Sequence, residues 1–142
     1  MAQREIFRGY NFILDLGAGP VGYFTEVSGL GVEVEAIDYR EGGGAPAVRK
    51  LAGRVAYSDV MLKWGLTESR ELWDWMLTAV NGRVQRRHLS IILVEPNGQT
   101  ELTRWNLTDA WPSKWHGAHL DAMGNDAAIE TLSLAHEGIE RA

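Results

Sequence analysis

The chain has 142 residues, no cysteine, 45% hydrophobic and 23% charged residues, and a formal net charge of -5. These values describe one globular domain over 1–142 with enough apolar residues for a core. They exclude disulfides and thiolate zinc sites, and the acidic balance argues against specific or general nucleic-acid binding, which needs a basic surface to displace counterions. The opening MAQREIFRGYNF lacks the apolar stretch of a signal peptide. No run reaches the roughly 18 apolar residues of a membrane helix. A soluble protein made in the cytoplasm, with no membrane contact, is expected.

Alternation over 10–16 places Phe12, Leu14 and Leu16 on one face of a strand. Gly17, Ala18, Gly19 and Pro20 read as a turn, and 21–27 as a second strand closing a hairpin. Gly29 and Gly31 bend the chain before a strand over 32–39, with Val32, Val34 and Ala36 on one face and Glu33, Glu35 and Ile37 on the other. From 40 to 54 the periodicity stops. That stretch holds Gly42, Gly43, Gly44 and Pro46 together with Arg40, Arg49, Lys50 and Arg54. Irregular loops beyond about 12–15 residues in a compact domain are usually functional or disordered.

A strand over 56–64 turns Val60, Leu62 and Trp64 one way. The helical period belongs to 67–80, where Leu72, Trp75, Met76 and Ala79 form one stripe. Thr67 reads as its N-cap, Glu68 and Glu71 suit the positive end of its dipole, and Asn81-Gly82 stops it. A strand over 85–94 puts Leu89, Ile91 and Leu93 on one face, and Pro96-Asn97-Gly98 turns it into a partner over 100–111. Pro112, with no N–H to donate, separates that strand from a short one over 113–120. A last strand over 127–136 carries Leu132 and Leu134 on one face. The expected class is mainly β with one helix.

A search for chemistry finds little. His116 and His119 are three apart, which on a strand points them to opposite faces and away from a common metal. Ser28 sits in a turn without a nucleophile elbow, and Gly42-Gly43-Gly44 lacks the Lys-Ser/Thr and helix of a phosphate loop. No cofactor or metal and no catalytic residue is assigned. Trp73, Trp75, Trp105, Trp111 and Trp115 could stack bases or sugars. Packing within the core and at interfaces is the simpler account of such large amphipathic rings.

Several ordered stretches carry a resemblance: Phe24-Thr25-Glu26-Val27-Ser28-Gly29-Leu30; Tyr39-Arg40-Glu41-Gly42-Gly43, then Val48-Arg49-Lys50-Leu51-Ala52-Gly53; Leu62-Lys63-Trp64-Gly65-Leu66-Thr67 into Leu72-Trp73-Asp74-Trp75; the run from Arg104 to Trp115; and Ala128-Ile129-Glu130-Thr131-Leu132, ending Leu134-Ala135-His136-Glu137-Gly138. Together they resemble the tail tube family of contractile phages and phage-tail-like contractile injection systems. The chain departs from the family at Gly44-Ala45-Pro46-Ala47, where related chains often carry a polar, asparagine-rich segment.

The resemblance implies a small β-barrel or sandwich of about seven to eight strands with one flanking α-helix. It implies six-membered rings stacked into a hollow tube, a sheath protein outside, baseplate, spike and terminator proteins at the ends, and effector cargo in the lumen. Such a particle is released or acts outside the cell that made it. On that reading 40–54 is a stacking arm, with Arg40, Glu41, Gly42, Gly43, Arg49, Lys50 and Arg54 at an inter-ring contact. Glu33 and Glu35 then face an acidic lumen. Two related roles compete: a tube-to-baseplate adaptor, and a hexameric effector carrier of the type VI secretion kind. An enzyme is the remaining alternative, and no motif supports it.

Overall fold

Period-two alternation, interrupted by turn residues, gives ten strands and one helix among the described residues. A computed structural model describes residues 11–17, 20–40, 42, 48–65, 69–96, 100–124 and 128–142. The elements are β1 (Asn11–Asp15), β2 (Pro20–Phe24), β3 (Glu26–Ser28), β4 (Val32–Tyr39), β5 (Arg49–Tyr57), β6 (Val60–Gly65), α1 (Glu71–Val80), β7 (Arg87–Val94), β8 (Glu101–His116), β9 (Ile129–Ala135) and β10 (Gly138–Arg141). Parts of several predicted turns and caps lie outside the described residues: Ala18 and Gly19, Glu41, 43–47, Thr67 and Glu68, and Asn97 and Gly98.

The main sheet runs β2-β1-β7-β8-β9-β6-β3, with β10 added to β8, and β4 and β5 form a separate two-stranded sheet. All pairings are antiparallel. The main path is open between β2 and β3, so the expected barrel does not close within one chain. The sheet instead folds over itself along β8. The first part of that 16-residue strand pairs with β7, and its last part pairs with β9. Asp109 sits near the changeover at φ 48, a left-handed conformation that Asp tolerates better than most residues. Its N–H donates to His88 Nδ1 at 3.4 Å.

Leu14, Val60, Leu62, Leu107, Ala110, Leu132 and Leu134 fill the space between the folded halves and are fully buried. Each large aliphatic side chain contributes about 1.5–3 kcal/mol by leaving water. The helix covers this core against β8 through Leu72 and Trp75. Trp75 Nε1 donates to the Gln85 carbonyl at 2.6 Å, which satisfies the one polar atom that ring buries. Gly82, at φ 76, donates its N–H to Ala79 and ends the helix as predicted. Behind the sheet Ile13, Ile92 and Val94 make a second small cluster, so β7 is buried on both faces.

Several sequence boundaries move. The strand predicted over 21–27 is two strands that serve different neighbours, β2 pairing with β1 and β3 with β6. Thr25 lies between them, and its N–H donates to the Lys63 carbonyl at 2.8 Å. The helix begins at Glu71, after Arg70, with no side-chain cap. Pro112 does not end a strand: it is buried, and it opposes Leu134 inside β8. In this half β9 is the sole strand partner of β8 among the described residues, so Pro112 lies on a sheet edge, where the missing donor is tolerated. Polar β10 has no hydrophobic signature and went unpredicted; it is held by its backbone pairing to β8.

Candidate assembly interface

The largest difference from the sequence reading lies in 40–54. Its second half is ordered strand. β5 pairs with β4 from Val32 opposite Tyr57 to Tyr39 opposite Arg49. The predicted loop is therefore the outer part of a β-hairpin arm over 32–57. At about 3.3 Å per residue the eight residues of β4 reach roughly 26 Å.

The root of the arm is fixed by short-range geometry. Gly29 is left-handed, at φ 82, and a Cβ there would collide with the Asp59 carbonyl oxygen. The Ser58 N–H donates to the Gly31 carbonyl at 3.2 Å, closing the hairpin at its base. His136 reaches the Ser58 carbonyl from β9's end, with its ring 5.5 Å from that of Tyr57.

Beyond the root, both faces of the arm meet solvent. Every residue of β4 is exposed, and in β5 all but half-buried Gly53 are exposed. Val32, Val34, Ile37, Tyr39, Leu51, Val55 and Tyr57 are large apolar side chains among them, with Val34 and Val55 each 50% exposed. A two-stranded ribbon of this kind is at best marginally stable in water. Exposed apolar patches on this scale mark interaction surfaces.

The residues assigned to the arm fall as follows. Arg40 follows β4, and Gly42 lies in a turn at the tip. Arg49, Lys50 and Arg54 are on β5, while Glu41 and Gly43 lie outside the described residues. Lys50 is ion-paired with Asp38 across the hairpin. Arg54 lines an open cleft of about 470 Å³ with Glu33, Glu35, Ala36 and Ala56. Counted over 32–57, the basic residues Arg40, Arg49, Lys50 and Arg54 balance the acidic residues Glu33, Glu35, Asp38 and Glu41, so the arm is neutral. The apolar residues of β5 were overlooked in the sequence. Their signal was there, since Leu51, Gly53, Val55 and Tyr57 alternate, but Arg49, Lys50 and Arg54 obscured it.

The tryptophans are placed inside or against the body. Trp75 is buried, and Trp105 and Trp115 pack against the core. The rings of Trp73 and Trp115 lie 4.6 Å apart and inclined at 57°. Arg86 sits 5.8 Å over the Trp111 ring. Among the described residues no three His, Asp or Glu side chains gather as for a metal ion, and no helix is long and apolar enough to cross a membrane.

The family model of the T4-like virus tail tube protein gp19 matches residues 8–140. Solved structures agree. A chain of the PVC sheath-tube complex, an extracellular contractile injection system in its extended state, is 27% identical, with 96% of this chain and 91% of that one covered and a TM-score of 0.84. A chain in the structure of the PVC sheath/tube terminator in its extended state is also 27% identical, with 99% of both chains covered and a TM-score of 0.85. Hcp1 from Flavobacterium johnsoniae is 18% identical over 92% of this chain and 94% of its own, at a TM-score of 0.58, and shares the fold alone. No curated protein sequence matches the chain.

Proposed function

The chain belongs to the T4-like virus tail tube protein family and is a structural tube subunit of the contractile injection kind, and on that premise we propose how its copies assemble. Six copies form a ring, rings stack, and the arm over 32–57 joins one copy to others. The observation that carries this is the arm itself: a ribbon exposed on both faces, apolar, and anchored at its root. Head-to-tail contacts with a closing rotation give rings. The open edges β2 and β3 are what such closure would cover.

A sheath encloses the tube, terminator and baseplate proteins hold its ends, and cargo occupies the lumen; the likeness to chains of sheath-tube and terminator structures supports the first two. The particle acts outside the cell that made it, as the extracellular relatives' descriptions suggest. Glu33 and Glu35, on one face of β4, line part of the lumen and keep anionic cargo from adhering. The work of the protein is mechanical, and no covalent step is assigned to it. A second role, as an adaptor at the tube's end, is favoured by the equally close likeness to a chain in a structure of the PVC sheath/tube terminator.

Electron microscopy of the purified chain separates these. Long hollow tubes are expected. Single rings that never stack would select the adaptor, and monomers persisting at high concentration would remove both.

A further inference from the structure

The basic residues of the chain differ in how firmly the backbone beside them is held. Lys63 lies in β6 between β3 and β9, so its strand is paired on both sides, and its Nζ lies 3.1 Å from Glu26. Arg83 and Arg86 lie in the irregular segment between α1 and β7, yet that segment is pinned. The Arg83 N–H donates to the Thr78 carbonyl at 2.9 Å, and the Gln85 N–H donates to Thr78 Oγ1 at 3.1 Å. The Gln85 carbonyl in turn accepts from Trp75 Nε1, and Arg86 is paired with Glu137.

The backbone at Arg54 is held far less. Among the described residues β5 has β4 as its one partner, so its other edge offers N–H and C=O groups to solvent. The ladder also fails beside Arg54. Val34 opposes Val55 and Ala36 opposes Ala52, so Glu35 alone stands against both Gly53 and Arg54. An extra residue of this kind leaves the pairing locally disrupted. Lys50, farther out, stays in register opposite Asp38 and is ion-paired with it. Every residue from Arg54 to Tyr57 is exposed, so no core contact has to break to free this stretch.

These features match what a peptidase needs. Its active site takes an extended segment, pairs with a free edge, and requires the residues around the scissile bond to leave their own fold. β5 is extended already and has the edge. A long cation ahead of the bond is the side chain that a trypsin-like specificity pocket, with its buried aspartate, selects.

We propose that the Arg54–Val55 peptide bond is a cleavage site for a trypsin-like peptidase in the chain before it assembles. Water adds across the bond: its oxygen goes to the Arg54 carbonyl carbon, which becomes a carboxylate, and the Val55 nitrogen leaves as an amine. The pieces 1–54 and 55–142 stay together, because β1 pairs with β7 and β3 with β6 across the break. The arm, however, keeps one of its two roots: 32–54 hangs from the body through Val32 alone. On the tube reading above, the cut removes a chain from assembly. The site itself does not depend on that reading.

Limited digestion of the full chain with trypsin tests this, at a dilution where light scattering shows monomers. Among the described residues, fragments ending at Arg54 and beginning at Val55 should form at least about tenfold faster than cuts after Arg83 or Arg86, because local opening costs less in the arm. Arg54→Gln should abolish the cut and Arg54→Lys should keep it, with circular dichroism unchanged in both, since residue 54 is exposed. A first cut after Lys50, Lys63, Arg83 or Arg86, or an unchanged rate in the Arg54→Gln chain, overturns the proposal. Nicked chains, purified without denaturant, should stay monomeric where wild type forms tubes, and preformed tubes should resist the cut by a similar factor. Tubes cut as fast as monomers overturn the restriction to unassembled chains. A wild type that is cut after Arg54 yet never assembles upholds the site and overturns the tube reading.

Discussion

His136 Nε2 lies 2.9 Å from the carbonyl oxygen of Ser58, while its Nδ1 lies 3.1 Å from that of Gly138. Carbonyl oxygens only accept, so a ring nitrogen that carries a proton donates to the carbonyl it faces, and the ring spans the two. The ring thereby ties the junction of β5 and β6 to the first residue of β10. This places a polar clamp at the point from which the arm projects.

Replacing His136 by Ala should free that junction. The expected loss is about 1 kcal/mol of stability, the usual net worth of such bonds. Hydrogen exchange should show it first at the Ser58 N–H, which donates to Gly31 across the root. Unchanged protection at Ser58 would mean the clamp does not hold the arm.

Gly29→Ala should be more costly. The residue is left-handed, and a Cβ would strike the Asp59 carbonyl, which belongs to backbone and cannot rotate away. A left-handed non-glycine residue alone costs on the order of 1 kcal/mol, and the collision adds to it. A thermal melt should fall by several degrees.

Burial separates two kinds of apolar residue that the sequence makes look alike. Leu132→Ala, at a fully buried position, should cost the monomer about 2–5 kcal/mol through lost transfer energy and the cavity left behind. Val34→Ala, in the solvent-facing arm, should change monomer stability by under about 0.5 kcal/mol yet weaken assembly. Urea melts and sedimentation measure the two effects separately.

Glu33→Lys with Glu35→Lys should leave the fold intact, since both residues are exposed. The change removes two negative charges and adds two positive ones, shifting a neutral arm to a net charge of +4. On the lumen assignment, tubes of this variant should retain an anionic fluorescent polymer that passes freely through wild-type tubes, and salt should release it. Equal passage through both tubes would place these residues elsewhere.

Much of the body was legible from local pattern. Val60, Leu62 and Trp64, and likewise Leu132 and Leu134, alternate because one face of each strand meets the core, and all five are buried. The helical stripe was equally clear: Leu72 and Trp75 are buried and Met76 packs against the core. What failed were boundaries and partners. Pro112 looked like a breaker because a sequence does not say which strand lies on an edge. β10 was missed because its ladder to β8 needs only backbone groups.

The arm shows the same limit at the candidate site. Its basic residues and glycines were visible, and so was its departure from the compact pattern of the body. Its strand character was not, because β5 buries nothing that would enforce a clean pattern, and its register comes from pairing with β4.

By itself, the sequence determined that this is a mainly β chain with one amphipathic helix, without cysteine chemistry, and with family motifs in tube order. Period and composition suffice for that, since each strand's own residues record which face is buried. Only the tertiary structure decided that the sheet stays open, that 49–57 returns alongside 32–39, and that the resulting arm meets solvent on both faces. Those properties depend on which backbone groups meet across long sequence separations, and no local pattern encodes them.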